Sequence, residues 1–388
     1  MFIYFHLFIF NIRVINNFRK YYFYFISILI GFIYGACVIK YQIFPYSVYS
    51  FAKNFNNDVK FKQYSRSQIN AYEFLFKKNL LINPSNVDSI RTLLKNVVFG
   101  YNNLPTSQPN TVIEIIDSNY LDLGNIKNIE KFEIKLPQSF ISIGYIFHPL
   151  KSNNRLMIYY QGHEGDFIFG KKTISYFLEM GYTIFSFSLP LLGKNNKPNV
   201  ISEKFGSIEF TTNHEYFKFL PHPLYYFIAP VSIMLNYSKS FKFTNVSMVG
   251  ISGGGWATTI TSAIDDRINF SFPVAGSYPN AIRFIRPENN FGDFEQTFLP
   301  LIQTLDYLDL YILGCVGIKR SQVQILNLYD PCCFNGYEFE LYENLIITET
   351  KKYDNAKFRI YSDKLNKSHS ISENALKVIS DEINLQSQ

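Results

Sequence analysis

The chain has 388 residues, 47% of them hydrophobic and 18% charged, with a net charge of +6. That length suits one large α/β domain with additions, or two ordinary domains. The lysines are scattered and form no basic stripe, which argues against nucleic-acid binding, and neither an internal repeat nor a metal-ligand cluster at zinc spacing is present. The 39 Phe and 29 Tyr accompany frequent Asn, Ile and Lys, and read as a composition bias rather than an aromatic binding surface.

The first element in chain order is "YYFYFISILIGFIYGACVI", residues 21–39, without a charge and bracketed by Arg19, Lys20 and Lys40. At about 1.5 Å per residue it would extend roughly 28 Å, the thickness of a bilayer core, with Tyr21, Tyr22 and Tyr24 at the interface. Residues 1–40 are therefore expected to be a transmembrane anchor or signal segment that places the following domain outside the cytoplasm. Residues 41–125 read as a helical prelude. Within it "SNVDSIRTLLKNVV" offers Ser85 or Asn86 as a cap, followed by Ile90, Leu93, Leu94 and Val97 on one helical face.

From about residue 130 the period changes. "KFEIKL" and "ISIGYIF" alternate apolar and polar side chains across a "PQS" turn, the pattern of a hairpin. Short apolar runs follow at 156–160, 182–187, 246–251, 270–275, 323–328 and 357–361, separated by stretches long enough for helices. Such alternation predicts a mainly parallel sheet with helices on both faces over 126–388. Its chemistry belongs at the carboxyl ends of the strands.

One of those ends is unusual. Gly250-Ile251-Ser252-Gly253-Gly254 follows a strand-like run and leads into the helix-compatible "WATTITSAI". A serine on a sharp strand-to-helix turn takes strained backbone angles, and the residues two before and two after it must be small. The turn lifts Oγ clear of the sheet. It also leaves the Gly253 N–H, at the positive end of a helix, facing any oxyanion that forms there.

With this turn in place, the chain resembles the α/β-hydrolase superfamily over roughly residues 130–388, its dienelactone-hydrolase-like and acetyl-esterase-like branches above all. The resemblance implies a catalytic triad in the order Ser, acid, His, with the acid after a later strand and the histidine after the last. Asp330, ending "VQILNLYD", and His369, in "KFRIYSDKLNKSHSIS", match those places. Asp363, at the end of the last strand run, is the rival acid. In the superfamily a loop after the third core strand supplies a second oxyanion donor. Here that loop is Gln161-Gly162-His163-Glu164-Gly165, with His163 the backbone donor and Glu164 the alternative.

The stretch 276–320 is too long for a simple connection and is expected to form a cap insertion, with "LPLLGKNN" at 189–196 a further wall. Trp256 reads as packing. Cys315 has two potential disulfide partners, Cys332 and Cys333, if the domain is exported; buried free thiols are the alternative. The whole reads as a membrane-anchored serine hydrolase that cleaves a carboxylic ester of a small-molecule or acylated substrate without cofactor or metal. An acyltransferase or peptidase would use the same triad, and a non-catalytic scaffold the same fold.

Overall fold

The computed structural model describes residues 24–35, 38 and 61–387. The chain divides into two compact units, Met1–Lys60 and Phe61–Gln388. In the first, residues 24–35 are helical and Phe25, Ile28, Ile30 and Phe32 are exposed. Among the described residues no helix is long and apolar enough to cross a membrane. The spanning helix expected over 21–39 is therefore not found, and residues 21–23, 36, 37 and 39 of that segment lie outside the described residues.

The second unit opens with α1 (Arg66–Asn79), started by a Ser65–Gln68 capping box, and α2 (Val87–Phe99), which closes on Gly100 at φ 78°. A left-handed residue at that position favours glycine, and it ends the helix. The face of α2 that packs comprises Ile90, Leu94, Val98 and Phe99; Leu93 is exposed. Arg91 reaches from the same helix to the carbonyls of Ala263, Leu313 and Val316.

Eleven strands follow: β1 (Thr111–Ile115), β2 (Ile126–Lys135), β3 (Ile141–Pro149), β4 (Arg155–Tyr160), β5 (Thr183–Phe187), β6 (Asn199–Ser202), β7 (Gly206–Glu209), β8 (Asn245–Ile251), β9 (Phe270–Val274), β10 (Ser321–Asn327) and β11 (Lys357–Asp363). Nine form one sheet in the order β1-β2-β3-β5-β4-β8-β9-β10-β11, and β6 and β7 make a separate hairpin. β1, β2, β3 and β5 pair antiparallel in turn, while β5-β4-β8-β9-β10-β11 are parallel.

Alternation along each strand divides the core in two. Leu156, Ile158 and Tyr160 of β4 join one cluster with residues of α2, α4 (Tyr225–Ser238), α5 (Gly253–Ile264), α6 (Tyr307–Cys315) and α7 (Glu343–Thr350). Met157 and Tyr159 join the other, with α3 (Lys171–Glu179) and α8 (Glu373–Ser387). Both faces of the sheet are thus covered, which is why β5, β9 and β10 are buried at every position.

β5 and β8 flank β4 on opposite sides, so the connections leaving β4 and β8 diverge and open a crevice at their carboxyl ends. Two excursions cover that edge. The first spans 188–224 and carries the β6–β7 hairpin. The second is the early part of the expected cap insertion, through the short helices Pro287–Asn290 and Leu299–Thr304. The end of that insertion is α6, a fully buried helix packed beside α5 rather than part of a lid.

Candidate active site

Ser252 stands between β8 and α5 with φ 58° and ψ −124°, a backbone conformation that costs a non-glycine residue of order 1–3 kcal/mol. Its N–H donates to Val274 O (2.9 Å) and its carbonyl accepts from Trp256 N–H (2.9 Å), so the neighbouring strand and the new helix hold the strain in place. The flanking glycines are required by contact. A methyl group at Gly250 would strike the carbonyl of Gly254, and one at Gly254 the carbonyl of Tyr160. Gly253 begins α5, so its N–H has no acceptor within the helix and is free for a ligand oxygen.

Asp330 lies three residues past β10 and His369 in the loop between β11 and α8, and their side chains meet: His369 Nδ1 is 2.8 Å from Asp330 Oδ2. Asp330 is buried, and each oxygen has its own partners. Oδ1 accepts from the backbone N–H of Cys332 (2.8 Å) and of Cys333 (3.2 Å), and Oδ2 from Asn327 Nδ2 as well as the histidine. Asn327 also donates to the carbonyls of Ser368 and Ser370, which stitches the acid loop to the histidine loop. His369 Nε2 is buried with no hydrogen-bond partner. Asp363 does different work. Its Oδ1 accepts from the N–H of Leu365 and Asn366 and its Oδ2 from the Ser372 hydroxyl, so it closes the two ends of the His369 loop.

The loop after β4 passes over the serine. A methyl group on Gly162 would lie 2.6 Å from both Ser252 Cβ and Ile251 O, so the chain here is in close approach to the turn. His163 follows with its ring against Gly253, and its side chain enters a charged cluster. Its Nε2 is 3.2 Å from His214 Nδ1 and 3.1 Å from Glu295 Oε1, its Nδ1 3.3 Å from Asp293 Oδ2. Burial by itself would lower the His163 pKa, but the Glu295 and Asp293 carboxylates outweigh it and raise it to about 9. Burial likewise opposes the charge on Glu295, while His163 and His214 beside it hold its carboxyl well below the usual range. Asp293 is raised, by burial first.

Two clefts flank the serine. One, of about 470 Å³, is lined by Gln161, Glu164, Ile251 and His369; the other, of about 410 Å³, by His163, His214 and Asp293. Ser252 is 8% exposed and lines neither; Gly162 packs against the serine itself, and His163 and Leu189 against the neighbouring Gly253.

No family model matches the chain, and no curated protein matches it in sequence. Solved structures do. Acetyl xylan esterase 1 from Thermoanaerobacterium sp. JW/SL YS485 superposes with a TM-score of 0.56 at 10% identity, covering 84% of this chain and 100% of that one. An acetyl xylan esterase from Paenibacillus sp. R4 gives 0.54 at 14% identity, over 83% and 99%. The chain has the α/β-hydrolase fold.

Within this α/β-hydrolase fold the residues singled out in the sequence fall after four strands, β4, β8, β10 and β11, at one sheet edge. Asp330 and His369 are in direct contact, Ser252 and Gly253 form the turn, and His163 lies against that turn. Trp256 is fully buried, with Nε1 donating to the Tyr307 hydroxyl (2.8 Å), a packing role. Cys332 and Cys333 are bonded to each other and Cys315 is a buried free thiol, so the pairing considered for Cys315 is not formed. Sequence reasoning missed Asn327, Asp293 and Glu295, and left His214 without a role. Asn327 directly precedes the acid loop, where a polar residue at a strand end was the available signal. Glu295 and His214 gave none, because their neighbourhood is made by two excursions distant in sequence.

Proposed function

We propose that the protein is a serine esterase acting through an acyl-enzyme. The reading rests on the Asp330–His369 pair, set at the same sheet edge as a strained serine at the head of a helix. Asp330 accepts from Nδ1–H and so fixes the tautomer that leaves Nε2 as the base. His369 Nε2 takes the Ser252 proton as Oγ attacks the ester carbonyl. The carbonyl oxygen, now negative, is received by the Gly253 N–H and by an amide of the His163–Glu164 segment. The imidazolium, stabilised by Asp330, gives its proton to the departing alcohol, and water releases the acid by the same steps. The two acetyl xylan esterases share only the fold, which makes acetylated sugars the first substrates to try.

The test is a fluorophosphonate label on the full-length protein. The wild type should be labelled and should hydrolyse p-nitrophenyl acetate, and Ser252→Ala should lose the label and on the order of 10⁶ in kcat. Labelling that survives in Ser252→Ala, or a folded wild type that neither labels nor hydrolyses esters, removes the assignment.

We further propose that the hydrolase unit works outside the cytoplasm, a reading supported by the uncharged segment 21–39 behind Arg19 and Lys20. A reporter active only outside the cytoplasm, fused after residue 60, should give signal. Signal only from a cytoplasmic reporter at the same junction would refute it.

A further inference from the structure

Three loops converge on one point at the sheet edge. The loop after β4 brings His163, the 188–224 excursion brings His214, and the excursion after β9 brings Glu295. His163 Nε2 is 3.2 Å from His214 Nδ1 and 3.1 Å from Glu295 Oε1, and His214 Nδ1 is 3.5 Å from Glu295 Oε2. A tetrahedral zinc ion with ligand bonds of 2.0–2.1 Å keeps its ligand atoms about 3.3–3.4 Å apart. The His163–His214 and His163–Glu295 separations are close to an edge of such a tetrahedron, and His214 approaches the same carboxylate through its other oxygen, Oε2.

The outer contacts orient the same atoms inward. His214 Nε2 lies 2.8 Å from Pro190 O, so that nitrogen carries the proton and Nδ1 presents a lone pair to the cluster. His163 Nδ1 faces Asp293 Oδ2 at 3.3 Å, the carboxylate-behind-histidine arrangement that directs Nε2 at a metal. Glu295 is fully buried, and neither of its oxygens has a hydrogen-bond partner. A network of protonated histidines would place the same residues together. It would not leave both oxygens of a buried carboxylate without an aligned donor. A cation held between the two histidine nitrogens and the carboxylate satisfies it without any such alignment.

We propose that His163, His214 and Glu295 form a zinc site, with a water as fourth ligand on the side of the cleft that the two histidines line. The metal ties the loop over Ser252 to both excursions that cover the sheet edge. Because His163 uses its side chain here and its backbone amide toward the serine, the two roles do not compete. The site is independent of whether Ser252 is a nucleophile.

The experiment uses full-length protein stripped with a chelator and dialysed against zinc chloride alone. Metal analysis should find one zinc per chain, the melting temperature should rise on zinc addition, and cobalt in its place should give the visible bands of a tetrahedral ion. Glu295→Gln and His214→Ala should lose all three responses. Asp293→Asn should weaken zinc binding by roughly 10–100-fold. Should either ligand variant fail to fold, the wild-type stoichiometry and cobalt spectrum decide. Wild-type protein that takes up no zinc overturns the proposal. So does zinc that binds equally to a folded Glu295→Gln variant, or a cobalt spectrum of octahedral form.

Discussion

Replacing Asp330 by Asn should disable the histidine without removing any volume, and the structure says how. Asp330 Oδ1 accepts two backbone N–H groups, those of Cys332 and Cys333, at 2.8 and 3.2 Å. An amide nitrogen cannot occupy that position, so the Asn carbonyl oxygen must take it and the NH₂ must replace Oδ2. There it points a donor at His369 Nδ1, 2.8 Å away, and at Asn327 Nδ2, 3.2 Å away. Nδ1 is forced to accept, the ring proton moves to Nε2, and the base is gone. The imidazolium also loses a buried carboxylate. A change of this kind lowers kcat by about 10⁴, or ~5.5 kcal/mol of barrier. Asp363→Asn makes the contrast. Its Oδ1 keeps both loop amides, and the Ser372 hydroxyl can rotate to accept from the new NH₂. We expect p-nitrophenyl acetate hydrolysis near neutral pH to fall by roughly 10³–10⁴ in Asp330→Asn and by less than about tenfold in Asp363→Asn. Melting curves should show both variants folded. If folded Asp330→Asn stays within about tenfold of wild type, or if Asp363→Asn loses more, the assignment of the acid is wrong.

Two further predictions concern stability. Arg320 is fully buried and donates to the carbonyls of Ile268, Leu313, Val316 and Ser262, of which Arg91 also reaches Leu313 and Val316. Arg320→Met should leave the Ile268 and Ser262 carbonyls stranded and cost about 3–5 kcal/mol, a fall in melting temperature of roughly 6–10 °C; an unchanged melt would refute this account. Asp309 is buried, accepts from the N–H of Leu81 and Ile82, and has its pKa raised to about 6, chiefly by burial. Since the unfolded carboxyl titrates near 3.9, the folded state holds the extra proton between pH 4 and 6, and stability from this group falls as pH rises through that window, by on the order of 3 kcal/mol. Relative to Asp309→Asn, the wild type should therefore melt lower at pH 7 than at pH 4.5, and a difference independent of pH would count against it.

Much of the molecule is legible in the chain because its signals are local. The strands of the parallel core announce themselves as largely apolar runs, since burial on both faces favours apolar side chains and admits only polar ones that find partners, such as Gln324 and Asn327 of β10. β1 and the β6–β7 hairpin escaped for the opposite reason: they are largely exposed, so no alternation marks them, and β1 lay inside a stretch read as helical. Gly250, Ser252 and Gly254 could be recognised together because the steric demand of the turn acts within five residues. The segment 21–39 illustrates the limit of composition. Its lack of charge fits a membrane span, yet among the described residues no helix is long and apolar enough to cross a membrane.

The sequence alone determined the order of the parallel core strands, the turn that strains Ser252, and the placement of an acid and a histidine after later strands. Only the tertiary structure decided between Asp330 and Asp363 as the partner of His369. Asp363 ends β11 and Asp330 lies three residues past the neighbouring β10; each has one oxygen held by its own loop amides, but Asp363 gives its other oxygen to Ser372, whereas Asp330 Oδ2 faces His369. Tertiary structure alone also joined His163, His214 and Glu295, because each arrives on a separate loop. Sequence spacing encodes contacts within a helix or a turn, whereas a meeting of three loops is set by how the sheet beneath them is ordered.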